Sequence, residues 1–241
     1  MESRLNSNES LRIRRMKKED IDEVSKLFAD TFALHEPMSV HLGHNPITFL
    51  PFAVSATKRC AKESLSYICE DLNNDCGHRI VGFCLNETLN VKEIECESIN
   101  DDNYEISALL TNLEKKWLHM LNEDCLKKKI FHLATVGVHS DYNNRGIASK
   151  LISASLNNAK DENFDFVVLE ATAIATQKIF KDKYKFRECV SQVYEEFEFK
   201  GKRVFEGLTN PKSVIVFEKE LKDWPSMQIK ELMRETIDEM K

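Results

Sequence analysis

Two segments, a hundred residues apart, hold residue types that could do chemistry. In Val136–Leu151 an apolar run enters a compact polar turn, Ser140-Asp141-Tyr142-Asn143-Asn144-Arg145, and then an amphipathic segment. The first N–H groups of a helix have no intrahelical partner, and the helix dipole favours anions in front of them, so this arrangement suits a phosphorylated ligand. Gly146 and Ala148 would let a pyrophosphate come close, where larger side chains would hold it away. The second segment, Phe32-Ala33-Leu34-His35-Glu36-Pro37-Met38, sets a carboxylate among mostly apolar neighbours. Glu36 is therefore a candidate base. Each segment also has an ordinary reading, since a glycine at a helix start is common turn chemistry and a glutamate after a helix end is commonly solvated.

The elements that must position these residues are legible from periodicity. Leu11–Arg14 alternates as a strand, and Ile21, Val24, Leu27, Phe28 and Phe32 recur with helical spacing until Pro37. A second helix is expected over Thr57–Leu65, then strands over Ser66–Glu70 and Arg79–Leu85 joined by a turn at residues 73–77. Residues 86–103 read as loop, and Ile106, Leu109, Leu110, Leu113, Trp117, Met120 and Leu121 mark an inserted amphipathic helix that could wall a substrate pocket. In the next strand Phe131 and Leu133 share one parity while Val136 and Val138 share the other. A β-bulge near Ala134-Thr135 keeps both pairs facing inward and splays the strand from its neighbour. A helix carrying Ile147, Leu151, Ile152 and Leu156 follows, then a central strand over Phe164–Leu169 and a helix over Ala175–Lys183. Strands over Val193–Phe199 and Val214–Lys219 close the pattern, with a turn at Lys200-Gly201. This order fits an α/β fold around one mixed sheet and does not fit a doubly wound nucleotide fold.

At 241 residues the chain can bury the core of one domain. A net charge of −6 argues against nucleic acid as a partner and is compatible with a cationic substrate. No apolar run approaches the ~20 residues of a membrane span, and residues 1–10 are polar, so the expectation is a cytoplasmic protein that does not engage membranes. Seven cysteines without a C-x-x-C pair are expected to be reduced and mostly buried. His41-x-x-His44 lacks a third ligand, so no metal is expected. His132 and His139 are expected to be structural or exposed.

The segment Asn143-Asn144-Arg145-Gly146-Ile147-Ala148 resembles motif A of the GNAT superfamily of N-acetyltransferases, Gln/Arg-x-x-Gly-x-Gly/Ala, with Asn143 where the family usually has a longer donor. Residues 11–220 more broadly resemble the insect-type arylalkylamine N-acetyltransferases, through Arg15-Met16, Glu19-Asp20, Phe32, Glu36-Pro37, Leu42-Gly43, the long insertion and Lys202-Arg203-Val204-Phe205-Glu206. The resemblance implies a mixed, mostly antiparallel sheet with flanking helices and a splayed strand pair for acyl-CoA. It implies an acetyltransferase domain over residues 11–220, between an extension at 1–10 and a charged tail at 221–241. Acetyl-CoA would be the co-substrate, held by Val136, Gly137, Val138, Asn143, Asn144, Arg145, Gly146, Ile147, Ala148 and Ser149. A small arylalkylamine would be the acceptor, Glu36 the base, and Thr172 and Thr176 the hydroxyls that could assist the leaving thiolate. An amine with a pKa of about 10 costs roughly 4 kcal/mol to present neutral at pH 7, hence the need for a base. Other acceptors compatible with this reading are a polyamine or a protein N-terminus. A CoA-binding protein without activity is a further alternative, and the oligomeric state stays open.

Overall fold

Apolar and alternating runs become seven strands: β1 (Leu11–Arg15), β2 (Tyr67–Asp71), β3 (Ile80–Thr88), β4 (Ile130–Val138), β5 (Phe166–Ala171), β6 (Arg187–Val193) and β7 (Ser213–Glu220). A computed structural model of the chain describes residues 10–73, 79–96, 104–222 and 224. The strands form one sheet in the order β1-β2-β3-β4-β5-β7-β6. Among the described residues only the β4–β5 pair is parallel; the other neighbours are antiparallel. The connection between β4 and β5 carries helix α7 (Ile147–Asp161) over one face, as a parallel crossover requires.

Helices cover both faces. Helices α1 (Ile21–His35) and α3 (Pro46–Cys60) pack Val24, Phe28, Phe49 and Ala53 against Ile68, Phe83 and Leu85. Helix α5 (Glu105–Leu118), the inserted one, packs Leu109, Leu113 and Trp117 against Ile130, Phe166 and Val216 on the same face. The opposite face holds α7, whose Ile147, Leu151, Ile152 and Leu156 meet Cys84, Phe131 and Val167. Gly82 permits that approach, since a Cβ there would lie 2.9 Å from the Ile147 side chain. Short helices α2 (Pro37–His41), α4 (Val91–Cys96), α6 (Glu123–Leu126) and α8 (Ile174–Lys178) complete the set. Among the described residues no helix is long and apolar enough to cross a membrane.

Four sequence expectations change. The second helix begins at Pro46, eleven residues earlier than expected, and ends at Cys60, because Asn45 caps its start: its side chain accepts the N–H groups of Ile47 and Thr48 at 3.0 and 3.1 Å. The stretch expected as loop from residue 86 contains the end of β3 and α4, while residues 97–103 lie outside the described set. The helix expected over Ala175–Lys183 is α8 followed by a π-helical turn, Ile179–Lys183. The strand expected over Val193–Phe199 runs instead over Arg187–Val193, and Tyr194–Glu196 forms a 3-10 turn that buries Tyr194. The turn at Lys200-Gly201 is present, both residues left-handed, between bridge partners Phe199 and Lys202. Residues 74–77 of the expected turn, residues 1–9 of the extension and most of the charged tail lie outside the described residues.

Candidate active site

The centre of the sheet comes apart. β4 and β5 pair only from Ile130↔Phe166 to His132↔Val168, although β4 continues to Val138 and β5 to Ala171. The expected bulge lies at the divergence: Leu85 opposes Thr135 and Asn86 opposes Leu133, which leaves Ala134 without an opposite residue. As a result Phe131, Leu133, Val136 and Val138 all join the cluster under α7. The same bulge sets the direction of the amides. His139 donates its N–H to Val81 O at 2.9 Å, and antiparallel bonding alternates, so Gly137 and Thr135 bond toward β3 while Val136 and Val138 turn their N–H groups toward the gap. At Gly137 a side chain has no room, since a Cβ would lie 2.5 Å from the Phe83 ring.

The gap opens into a cleft of about 250 Å³ whose walls include Glu36, Val136, Val138, Asn143, Thr172 and Thr176. Gly137 and Ala148 also border it. The turn that enters α7 holds Asn144 and Gly146 in left-handed conformations, φ 61° and 72°. No side chain caps α7, so its first N–H groups remain available to a ligand. The remaining motif residues shape this turn rather than wall the cleft. Ile147 is buried under β3, Arg145 stacks 4.6 Å over the Tyr142 ring and donates to Asp141 O, and Ser149 O accepts the Tyr184 hydroxyl.

Glu36 sits where α1 ends and α2 begins, extended between Pro37 and the last turn of α1. Its Oε2 accepts the Ser39 N–H at 2.7 Å, and its Oε1 is buried with no hydrogen-bond partner. The residue is 8 % exposed and borders two spaces, the cleft and an adjoining cavity of about 120 Å³. Aromatic rings wall the latter: Phe28 and Phe32, one turn apart on α1, with Phe49 and Phe52 on α3. The pairs lie 4.5 and 5.2 Å apart between centroids. From the inserted helix Ile106 and Leu110 reach this cavity, whereas Trp117 lies in the core, donating to Glu218 at 2.6 Å.

Sequence reading missed two contributors, Tyr194 and Glu170. Buried Tyr194 donates to Thr172 O at 3.0 Å and so fixes the end of β5. Burial, and then the nearby Glu36 charge, push its phenol above the usual value, so it stays protonated. Behind the bulge, His132 is held between Glu170 (Nε2 to Oε2, 2.9 Å) and Glu87 (Nδ1 to Oε1, 3.3 Å). Burial lowers the imidazole pKa, but the Glu170 charge and its hydrogen bond, helped by Glu87, raise it well above 6.5. Glu87 in turn pairs with Arg59 at 2.6 Å. Of the other histidines, His139 caps the 3-10 turn Ser140–Tyr142, while His41 and His44 rest against Phe205 and Phe49.

Comparison with known proteins agrees with this architecture. The acetyltransferase (GNAT) family model matches residues 51–179, more than half of the chain. Among solved structures, arylalkylamine N-acetyltransferase 2 from Aedes aegypti superposes with a TM-score of 0.69 at 20 % identity, covering 88 % of this chain and 99 % of that one. The Drosophila melanogaster polyamine N-acetyltransferase that forms N-acetylagmatine gives 0.68 at 14 % identity, over 87 % and 99 %. Arabidopsis thaliana NAA60 in complex with acetyl-CoA gives 0.51 at 17 % identity, over 87 % and 98 %. Nothing matches among curated protein sequences.

Proposed function

The chain belongs to the acetyltransferase (GNAT) family, and from that premise we propose that residues 11–220 transfer an acetyl group from acetyl-CoA to the primary amine of a small arylalkylamine. The observation that carries this reading is that Glu36 and the open start of α7 border the same cleft, on either side of the gap between β4 and β5. The pyrophosphate of acetyl-CoA would meet the N–H groups of Gly146, Ile147 and Ala148, with Asn143 at the mouth. Its thioester would lie along the free edge of β4, where the Val136 and Val138 N–H groups can stabilise the oxyanion. The aromatic cavity beside Glu36 suits the apolar body of the acceptor and presents its amine at the cleft.

In this scheme the ammonium proton passes to the free Oε1 of Glu36, directly or through a water. The neutral nitrogen attacks the thioester carbonyl, the C–N bond forms, and the C–S bond breaks as the oxyanion collapses. Attack leaves the nitrogen cationic, and its extra proton passes to the departing thiolate through the Thr172 or Thr176 hydroxyl or a water beside them, giving the amide and the free thiol. The family includes acceptors other than arylalkylamines, and the solved neighbours named above act on polyamine and aryl substrates alike. The phenylalanine walls favour the aryl reading. The test is to incubate the purified chain with acetyl-CoA and a panel of arylalkylamines, polyamines and N-terminal peptides while following free thiol. Acceptor-dependent release, highest with arylalkylamines, is expected; release no higher than with acetyl-CoA alone would refute transfer.

A further inference from the structure

Behind the aromatic cavity lies a larger one, about 510 Å³, that the acetyl-transfer scheme leaves unused. The two share the walls Phe28, Phe52, Leu110, Ala134, Thr135 and Glu170. One wall of it is charged. The Glu170, Glu114 and His132 side chains bring ligand atoms within 4.8 Å of one another, and Glu87 and Arg59 also line the space. Among the described residues, three carboxylates, Glu87, Glu114 and Glu170, line it with the Arg59 guanidinium and the His132 imidazole. The Glu170 side chain is 5 % exposed, its Oε2 is bound to His132, and its Oε1 is buried with no hydrogen-bond partner. A buried carboxylate oxygen without a donor is costly, and a ligand that brings an N–H group relieves that cost.

We infer that this second cavity is the far subsite of the acceptor and takes a cationic group, an ammonium or guanidinium, on Glu170 with Glu114 beside it. The inference rests on the transferase reading and narrows its acceptor to an amine with an apolar middle and a second basic end. The rings of Phe28 and Phe52 line both cavities, as such a middle would require. Glu36 would then serve the reacting nitrogen and Glu170 the distant one. The Thr135 hydroxyl, at the bulge between the two spaces and also without a partner, is placed to meet the ligand on its way.

The experiment compares 2-(4-aminomethylphenyl)ethylamine with its neutral isostere 2-(4-ethylphenyl)ethylamine, and agmatine with hexylamine. Binding to the whole chain is measured by calorimetry and transfer by thiol release. Each dication is expected to bind at least tenfold more tightly than its isostere, and Glu170→Gln to bring that ratio near one. Should Glu170→Gln fail to fold by circular dichroism, Glu114→Gln, on the partly exposed side of α5, is expected to lower the ratio in the same sense. Equal binding of dication and isostere, or a ratio that survives both substitutions, overturns the proposal. So does one tightly held zinc ion per chain, lost on Glu170→Gln, together with equal amine binding, which would make the cluster a metal site. Because binding is read without turnover, selective binding with no thiol release would leave the subsite standing and sink the transferase reading alone.

Discussion

At the scale of single residues the proposed scheme divides the work between a side chain, Glu36, that takes the proton and backbone N–H groups that must stay uncovered to meet the cofactor. Glu36→Gln is expected to lower kcat/KM by about 10²–10⁴-fold near neutral pH, with the deficit shrinking as pH approaches the amine pKa of about 10, where the nucleophile deprotonates without help. Acetyl-CoA binding should survive; a pH–rate profile parallel to that of the parent would remove Glu36 from the base role. Gly146→Ala places a Cβ at φ 72°, costing about 1 kcal/mol of stability, and obstructs the start of α7. Calorimetric titration with acetyl-CoA should show weaker binding, and unchanged affinity would mean that the pyrophosphate lies elsewhere. Both positions were legible in the sequence because their signals are local: a carboxylate in an apolar setting, a glycine at a helix start. Tyr194 and Glu170 were not. They meet the site through contacts with Thr172 and His132, and no periodicity connects residues that are distant along the chain.

At the scale of elements, the bulge was readable because a change of parity within one apolar strand has few physical solutions. The start of α3 was equally available in Asn45-Pro46, a capping residue followed by the proline favoured at the first helical position, but the apolar pattern drew attention to its last turn instead. The π-helical turn was not readable. Lys185 there adopts φ 54°, the left-handed conformation that a glycine usually supplies at a helix end. Beside the bulge, Asn86 ties three elements together: its amide donates to Leu65 O at 3.0 Å and to Ser155 Oγ on α7 at 2.9 Å, and its N–H bonds Ser66 Oγ. Asn86→Ala keeps the bond to Ser66 but removes the amide's bonds to Leu65 O and Ser155 Oγ, and should cost about 2 kcal/mol, or roughly 5 °C in Tm, by thermal unfolding. A loss below about 0.5 kcal/mol would show that the network does not hold α7 to the sheet.

At the scale of the whole molecule, the corner where β1, β2 and α1 meet is held by charge. Buried Asp20 takes Arg14 at 2.6 and 2.8 Å and Arg79 at 2.8 Å, while Glu70 binds Arg12, Arg14 and Arg79. Burial pushes the Asp20 carboxyl up, but its hydrogen bonds with Arg14, the Lys17 amide and Arg79 outweigh it and hold the pKa at about 2. Glu87, held down by His132 and Arg59 against its own burial, also sits at about 2. A depressed carboxylate stabilises the fold fully above its ordinary pKa, so this stability should be lost as pH falls from about 4 to 2. His132 acts in the opposite sense, its contribution intact below pH 6.5 and lost only as pH rises through its elevated pKa. Denaturant unfolding against pH should show Asp20→Asn less stable than the parent by roughly 2 kcal/mol at pH 6 and the two converging near pH 2. Parallel curves would mean that Asp20 is not the titrating group. The three paired positions between β4 and β5 have a consequence for motion as well. A sheet normally protects its middle and frays at its edges, yet here the Val136 and Val138 amides in the middle have no strand partner, while their neighbours bonded to β3 do. In hydrogen exchange this should appear as two fast protons inside a slow strand, slowing when acetyl-CoA occupies the gap. The ligand would then act as the missing stitch of the fold, joining its two halves into one cooperative unit.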